Sequence, residues 1–311
     1  MKYIYFMLAL SHLHSYPMAQ SRLELAQSTI EAYFQHHAVR VFTPNAVATI
    51  LAEHRSAWHL AKGMTLRDFI AYFSDLGLLT RLDFPFPYRA ESRYVWGQVP
   101  LLEVLLTLKP GAYFSHATAM RLHRLTERLP GTIYVNHEQR PQAKNPHLEQ
   151  RNIDAAFQRR PRMSQNAVDL GNVRVCLVNG MHTNQLGVIG TRLAYDGSTP
   201  AQVRVTSVER TLIDIAVRPA YAGGVAEVSR AFALARERAD AERIADLLHK
   251  LGYVYPYHQA IGYYLDRAGY PIAAVDLFRR QGLEFDFYLA HEMRDRRYIK
   301  EWRLYVPQEF A

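Results

Sequence analysis

The chain holds a single cysteine, Cys176, among its 311 residues. No intrachain disulfide can form, and zinc sites built from several cysteines are excluded. That usage suits a reducing compartment and predicts a cytoplasmic protein. Cys176 lies in the apolar run Val173 to Val178, where a buried, unreactive thiol is expected. No apolar run reaches 18 residues, so neither a spanning helix nor a membrane partner is expected. The 14 histidines are scattered without H-E-x-x-H or comparable ligand spacing, and neither a metal nor another cofactor is expected.

Other signatures are missing as well. A restriction-type nuclease needs an acid and then Glu-x-Lys on a strand, and Glu-x-Lys occurs nowhere. Glu284 and Asp286 share a strand face without that lysine. A nucleotidyltransferase needs Gly-Ser followed by a pair of metal-binding acids, whereas Gly197-Ser198 runs into Thr199-Pro200-Ala201. The P-loop and the G-x-S-x-G elbow are both absent, although a dispersed Ser-His-Asp triad is not excluded. The chain reads as a binder rather than an enzyme.

What is present is positive charge and ample core material. The formal net charge is +8, and 49% of residues are hydrophobic. A basic balance favours nucleic acid or an acidic partner and does not bear on fold. The length suits two domains. Met1 to Leu10 is a short basic-then-apolar start with the look of a signal peptide. Against that stand Tyr3 and Tyr5, then His12, His14 and Pro17, and no small-x-small cleavage site. Met18 is an alternative start, and residues 1–20 are treated as an extension outside the fold.

From Ser21 to His37 the apolar spacing of Leu23, Ala26, Ile30, Tyr33 and Phe34 predicts a helix. Thr43-Pro44 opens a second, expected to end near Lys62-Gly63. Thr65-Leu-Arg-Asp68 resembles a capping box opening a third, closed by Gly77. Strands are expected at 78–84 and 93–96, joined by a proline-bearing loop. Three helices and a hairpin make the layout of a winged helix-turn-helix over residues 21–98, in which the third helix enters the major groove. Arg67 is then the candidate to reach a base edge, with Lys62 and Thr65 at the helix start. Lys62, Arg81, Arg89 and Arg93 are the phosphate candidates. Residues 38–98 hold seven Lys/Arg against five acids, a weak footprint, and such domains also serve as protein-interaction modules.

The rest, residues 99–311, predicts a larger mixed α/β domain, giving an α+β fold class overall. Ser115 is expected to cap a helix bearing His116 and His123, both read as packing or surface histidines. Strands are expected at 132–136, 172–177 and 202–206. Residues 137–172 read as polar loop. Residues 128–174 carry eight Lys/Arg against four acids. Arg140, Lys144, Arg151, Arg159, Arg160 and Arg162 there form either a solvated loop or a second electropositive surface that meets phosphates or an acidic partner. Thr206-Ser-Val-Glu209 reads as a capping box for a helix with Leu212, Ile213, Ile215 and Ala216 inward, stopped by Arg218-Pro219. Arg210 and Asp214 can pair across one turn. Helices follow at 225–238, 241–251, 258–268 and 272–280, then strands at 284–289 and 302–307. The tyrosines at 253, 255, 257, 263 and 264 read as helix-to-sheet packing or, alternatively, as a stacking platform for bases.

Thr206-Ser-Val-Glu-Arg-Thr-Leu-Ile-Asp214, Arg218-Pro-Ala-Tyr-Ala-Gly-Gly224 and Tyr255-Pro-Tyr-His-Gln-Ala-Ile-Gly262 resemble the C-terminal region of the AbiEi family. These are antitoxins and transcriptional regulators of abortive-infection toxin–antitoxin pairs, a phage-defence device. The likeness runs over roughly Thr43 to Pro307 and is one of phrases, not of a catalytic signature. It implies an autorepressor that binds double-stranded DNA at its own promoter, with residues 99–311 supplying antitoxin activity. It also implies a neighbouring nucleotidyltransferase-like toxin as genetic partner, without need of a stable complex. The competing expectation is a metal-dependent nuclease or nucleic-acid-modifying enzyme using Glu209, Asp214, Glu284 and Asp286. A third is a scaffold whose winged domain contacts only protein.

Overall fold

Capping and apolar spacing place most helices where the chain itself signals them. In the computed structural model, which describes residues 20–129, 131–143, 147–195 and 199–310, the chain is a mixed α+β protein with three sheets. The expectations for residues 1–19, Lys144 and Gly197-Ser198 lie outside the described residues. Helix α1 (Arg22–His36) opens with a full capping box from Ser21 and Glu24. Strand β1 (Val41–Phe42) follows, then α2 (Pro44–His54), where the Thr43 side chain accepts from the Ala46 N–H. Contrary to expectation, α2 stops at His54. Turns carry the chain from there to Thr65, and Trp58 on them is buried in the core. Helix α3 (Leu66–Asp75) and the hairpin β2 (Leu79–Phe84) and β3 (Glu91–Trp96) complete this part.

β3 pairs antiparallel with both β1 and β2, giving the order β1-β3-β2. Strand alternation splits its side chains between two cores. Tyr94 and Trp96 join Phe34, Phe69 and Phe73 beneath the three helices, with Trp96 stacked 4.4 Å from Phe34. Val95 points the other way and joins the core formed with α4 (Leu101–Leu106). The hairpin is therefore covered on both faces along β3.

The second core is a six-stranded mixed sheet. Its strands are β4 (Tyr113–Phe114), β5 (Thr132–Glu138), β6 (Ala167–Leu170), β7 (Val173–Gly180), β8 (Val188–Leu193) and β9 (Ala201–Thr206), in the order β6-β7-β5-β4-β9-β8. β5 runs parallel to β7, and β4 parallel to β9. Helix α5 (His116–Leu122) follows β4, and α6 (Gln150–Phe157) interrupts the stretch expected to be loop. Strands β6 and β8 were not signalled, being four and six residues long with little alternation.

A third core gathers α7 (Val208–Val217), α8 (Val225–Ala235), α9 (Ala241–Leu251), α10 (Tyr257–Arg267) and α11 (Ile272–Arg279). The sheet of β10 (Phe287–Tyr288), β11 (Arg296–Ile299) and β12 (Leu304–Pro307), ordered β10-β12-β11, closes it. Helix α7 is buried on nearly every side, Glu209, Arg210, Thr211 and Asp214 included. Its cap is Ser207, whose hydroxyl accepts from the Arg210 N–H. Thr206 remains in β9 opposite Val188, so the helix begins one residue later than expected. Among the described residues no helix is long and apolar enough to cross a membrane.

Candidate nucleic-acid interface

Helix α3 is held by its own first turn. The Thr65 hydroxyl accepts from the Asp68 N–H at 3.1 Å and donates to the Asp68 carboxylate at 2.7 Å. That carboxylate also accepts from the Thr65 N–H at 2.9 Å. These bonds from the Thr65 backbone and hydroxyl hold the Asp68 carboxyl below its usual range. Thr65 is exposed, but its hydroxyl is committed to the cap. Phe69 and Phe73 face the core, which leaves Arg67, Ala71 and Ser74 on the exposed side of α3. Lys62, on the preceding turn, is exposed too.

The hairpin arginines divide. Arg89 is at the tip, its side chain 81% exposed and 3.9 Å from Glu91. Arg81 is exposed but lies 3.0 Å from Asp83, which also accepts from Ser92. Arg93 corrects the sequence reading: its side chain is only 5% exposed and cannot serve as a phosphate contact. Strand alternation turns it, with Val95, toward α4. Its guanidinium donates to the Thr107 hydroxyl at 3.0 Å, the Thr107 carbonyl at 2.8 Å and the Ser92 carbonyl at 2.8 Å, and pairs with Glu91 at 3.2 Å. Lys109 reaches the same carboxylate at 2.9 Å. Burial by itself would raise Glu91, but the bonds from Lys109 and Arg93 outweigh it and hold the carboxyl below the usual range. Arg93 ties the hairpin to α4.

Of the second basic set, Arg159, Arg160 and Arg162 come together on the segment after α6 and line one cavity. Arg151, on α6, is exposed and paired with Glu149. Arg140 is exposed beyond the end of β5, and neither of these two lines that cavity. The residues that complete it are Arg218, read from sequence only as a helix stop, and His291, which carried no signal.

A buried polar network lies between α7 and the six-stranded sheet. Arg210 donates to Asp214 at 2.8 Å, both side chains under a tenth exposed, so the pair is a buried one and not a surface pair. Glu138 accepts from the Thr183 N–H at 2.9 Å, the Gln185 N–H at 3.0 Å and the Tyr113 hydroxyl at 3.2 Å. Burial would raise Glu138, and these bonds, led by those from Thr183, bring it below the usual range. Ser115 does not cap α5; its hydroxyl instead bonds His116 Nδ1 at 2.8 Å. His116 is buried with a φ of +53°. His123 Nε2 donates to the Thr206 carbonyl at 2.6 Å.

Three of the four acids of the nuclease alternative are engaged elsewhere, while Glu284 is exposed. Asp214 is paired with Arg210, Glu209 accepts from the Ser207 hydroxyl, and Asp286 accepts from Tyr298 at 2.7 Å and Arg303 at 2.9 Å. Among the described residues, no three or more His, Cys, Asp or Glu side chains are grouped to hold a metal ion.

No protein-family model and no curated protein matches the chain. Among solved structures it is similar to the crystal structure of the RV2827C protein from Mycobacterium tuberculosis, with a TM-score of 0.55 and 18% identity over 93% of each chain. At that identity the likeness shows the fold alone, over nearly the full length of both chains.

Proposed function

We propose that the chain is a DNA-binding antitoxin and autorepressor of the AbiEi kind, with residues 21–98 acting as a winged helix-turn-helix. The reading rests on α3. Its outward face carries Arg67 in the first turn and the small side chains Ala71 and Ser74 beyond, all exposed. A helix with a cation near its start and small residues beyond it can approach base edges closely. Exposed Lys62 and Arg89 flank it as phosphate contacts. Further support comes from the order α1, β1, α2, α3, β2, β3, with β1 and β2 on either side of β3. The antitoxin half rests on the AbiEi-like phrases, with a nucleotidyltransferase-like toxin as genetic partner.

The test is an anisotropy titration with the duplex upstream of the chain's own gene and a scrambled duplex. Sequence-selective binding is expected, with Arg67→Ala weakening the specific site by about tenfold or more while barely affecting the scrambled one. Equal affinity for both duplexes would sink the repressor. The antitoxin half is checked by co-expression with the neighbouring gene: growth arrest that this chain fails to relieve removes it.

A further inference from the structure

The cavity that collects Arg159, Arg160 and Arg162 is unlike the rest of the surface. It measures about 640 Å³, within the roughly 300–1,000 Å³ of small-molecule sites. Three separated stretches build it: the segment after α6, the α7–α8 junction from Val217 to Val225, and the α9–α10 junction at Tyr255 and Tyr257. His291 closes one side, its ring stacked 4.4 Å from Phe157.

The charge is one-sided. Among the described residues four arginines line the cavity, and no aspartate or glutamate does. Arg160 lies 3.4 Å from Glu292, while Arg159, Arg162 and Arg218 have no carboxylate partner among the described residues. Like charges gathered at one concave site repel, and an anion bound there removes that cost. Tyr257 also lines the cavity, its side chain nine-tenths buried. The α8 N-terminus opens on the same space without a side-chain cap. Its Gly224 sits at φ +99°, a conformation that favours glycine.

The remaining walls are flat or apolar: half-buried Tyr255 set edge-on to Tyr257, with Met163, Val217 and Pro219. A bare inorganic ion would leave these unused. Arginines for several negative charges, beside rings for an aromatic group, match a nucleoside polyphosphate. We infer that this cavity binds a free nucleoside triphosphate, its phosphates held by Arg159, Arg162 and Arg218 and its base against Tyr255. The inference stands apart from the DNA reading, because none of the residues of α3 or the hairpin lines the cavity.

Calorimetric titration of the full chain with ATP, GTP, CTP and UTP tests it, with tripolyphosphate and a short single-stranded RNA as further probes. At least one nucleoside triphosphate is expected to bind with micromolar affinity at one site per chain. Arg159→Ala/Arg162→Ala, and separately Arg218→Ala, should each weaken it by about tenfold or more. Thermal unfolding should stay unchanged, since these side chains are exposed. Removing equal charge on the exposed face of α9, with Arg243→Ala/Lys250→Ala, should leave binding intact. The inference is overturned if no nucleotide binds below about 1 mM, or if tripolyphosphate binds as tightly as the nucleotide. It is equally overturned if RNA binds while free nucleotides do not, or if the arginine variants bind like the native chain.

Discussion

Arg89 and Arg93 lie four residues apart on one hairpin and do different work. Arg89 stands in solvent, whereas Arg93 is buried with its donor hydrogens directed at Thr107, Ser92 and Glu91. Arg93→Ala removes the centre of that cluster and is expected to cost about 3 kcal/mol of stability in urea unfolding, while Arg89→Ala leaves stability unchanged. His116 offers a test by pH. Burial pushes its pKa down to about 4 from 6.5; Asp214 pulls the opposite way, and Arg218 and Arg210 act with burial. A base whose folded value is depressed stabilises the fold fully above the unfolded value. That contribution is lost as pH falls from 6.5 toward 4, where the unfolded chain takes the proton first. His116→Asn removes the titration, and asparagine tolerates the left-handed backbone at φ +53°. Urea midpoints between about pH 4 and 7 should fall more steeply in the native chain than in this variant. Half-buried His123, His137 and His258 are lowered as well, so only the difference between the two curves isolates His116. Parallel curves would refute its contribution.

At the scale of elements, α10 shows why a helix can need a glycine in its middle. A Cβ at Gly262 would sit 2.2 Å from the ring of Trp302 and 2.9 Å from Phe278. Gln259, one turn earlier, donates to the carbonyls of Phe285 and Trp302. The close approach and these hydrogen bonds seat the helix on the C-terminal sheet. Alanine would favour the isolated helix by about 1 kcal/mol. Gly262→Ala should nevertheless destabilise the protein by about 3 kcal/mol through overpacking, read as a lower melting temperature and partly restored by Trp302→Phe. Elements with caps and long apolar stripes, α1, α3 and α9 among them, were legible within a residue or two. β1, β6, β8 and β11 were not, because two to six residues carry too little alternation to stand out. The start of α7 was misplaced because Thr206 and Ser207 are both good caps. Pairing of Thr206 with Val188 across the sheet selects the second.

For the whole molecule, a net charge of +8 gathers at separate places, the hairpin and the cavity beside α8 among them. Removing one cation that neutralises a phosphate lowers the salt dependence of DNA binding by about one unit of log–log slope. Arg81→Ala/Arg89→Ala is therefore expected to flatten the slope by up to about two units. Arg159→Ala/Arg162→Ala should leave it alone, because those arginines line the cavity beside α8 and not the hairpin. A slope changed equally by both pairs would mean that one continuous basic surface meets the duplex. The phrases behind the AbiEi resemblance fall largely in the interior: Thr206, Ser207, Glu209, Arg210, Thr211 and Asp214 are all buried. They specify how α7 joins β9 and the sheet, while Arg218, at the end of the same helix, faces the cavity.

The sequence alone determined most of the helices, α6 and the end of α2 excepted, because caps, glycine stops and apolar spacing act within a few residues of one another. It also excluded disulfides, through the single Cys176. Only the tertiary structure decided which arginines are available. Arg93 is enclosed by Thr107, 14 residues on, and Arg162 shares a cavity with Tyr257 and His291 from much later in the chain. A side chain's exposure and electrostatic surroundings depend on what packs against it from remote segments. A local pattern can mark an arginine as present but cannot tell a strut from a contact.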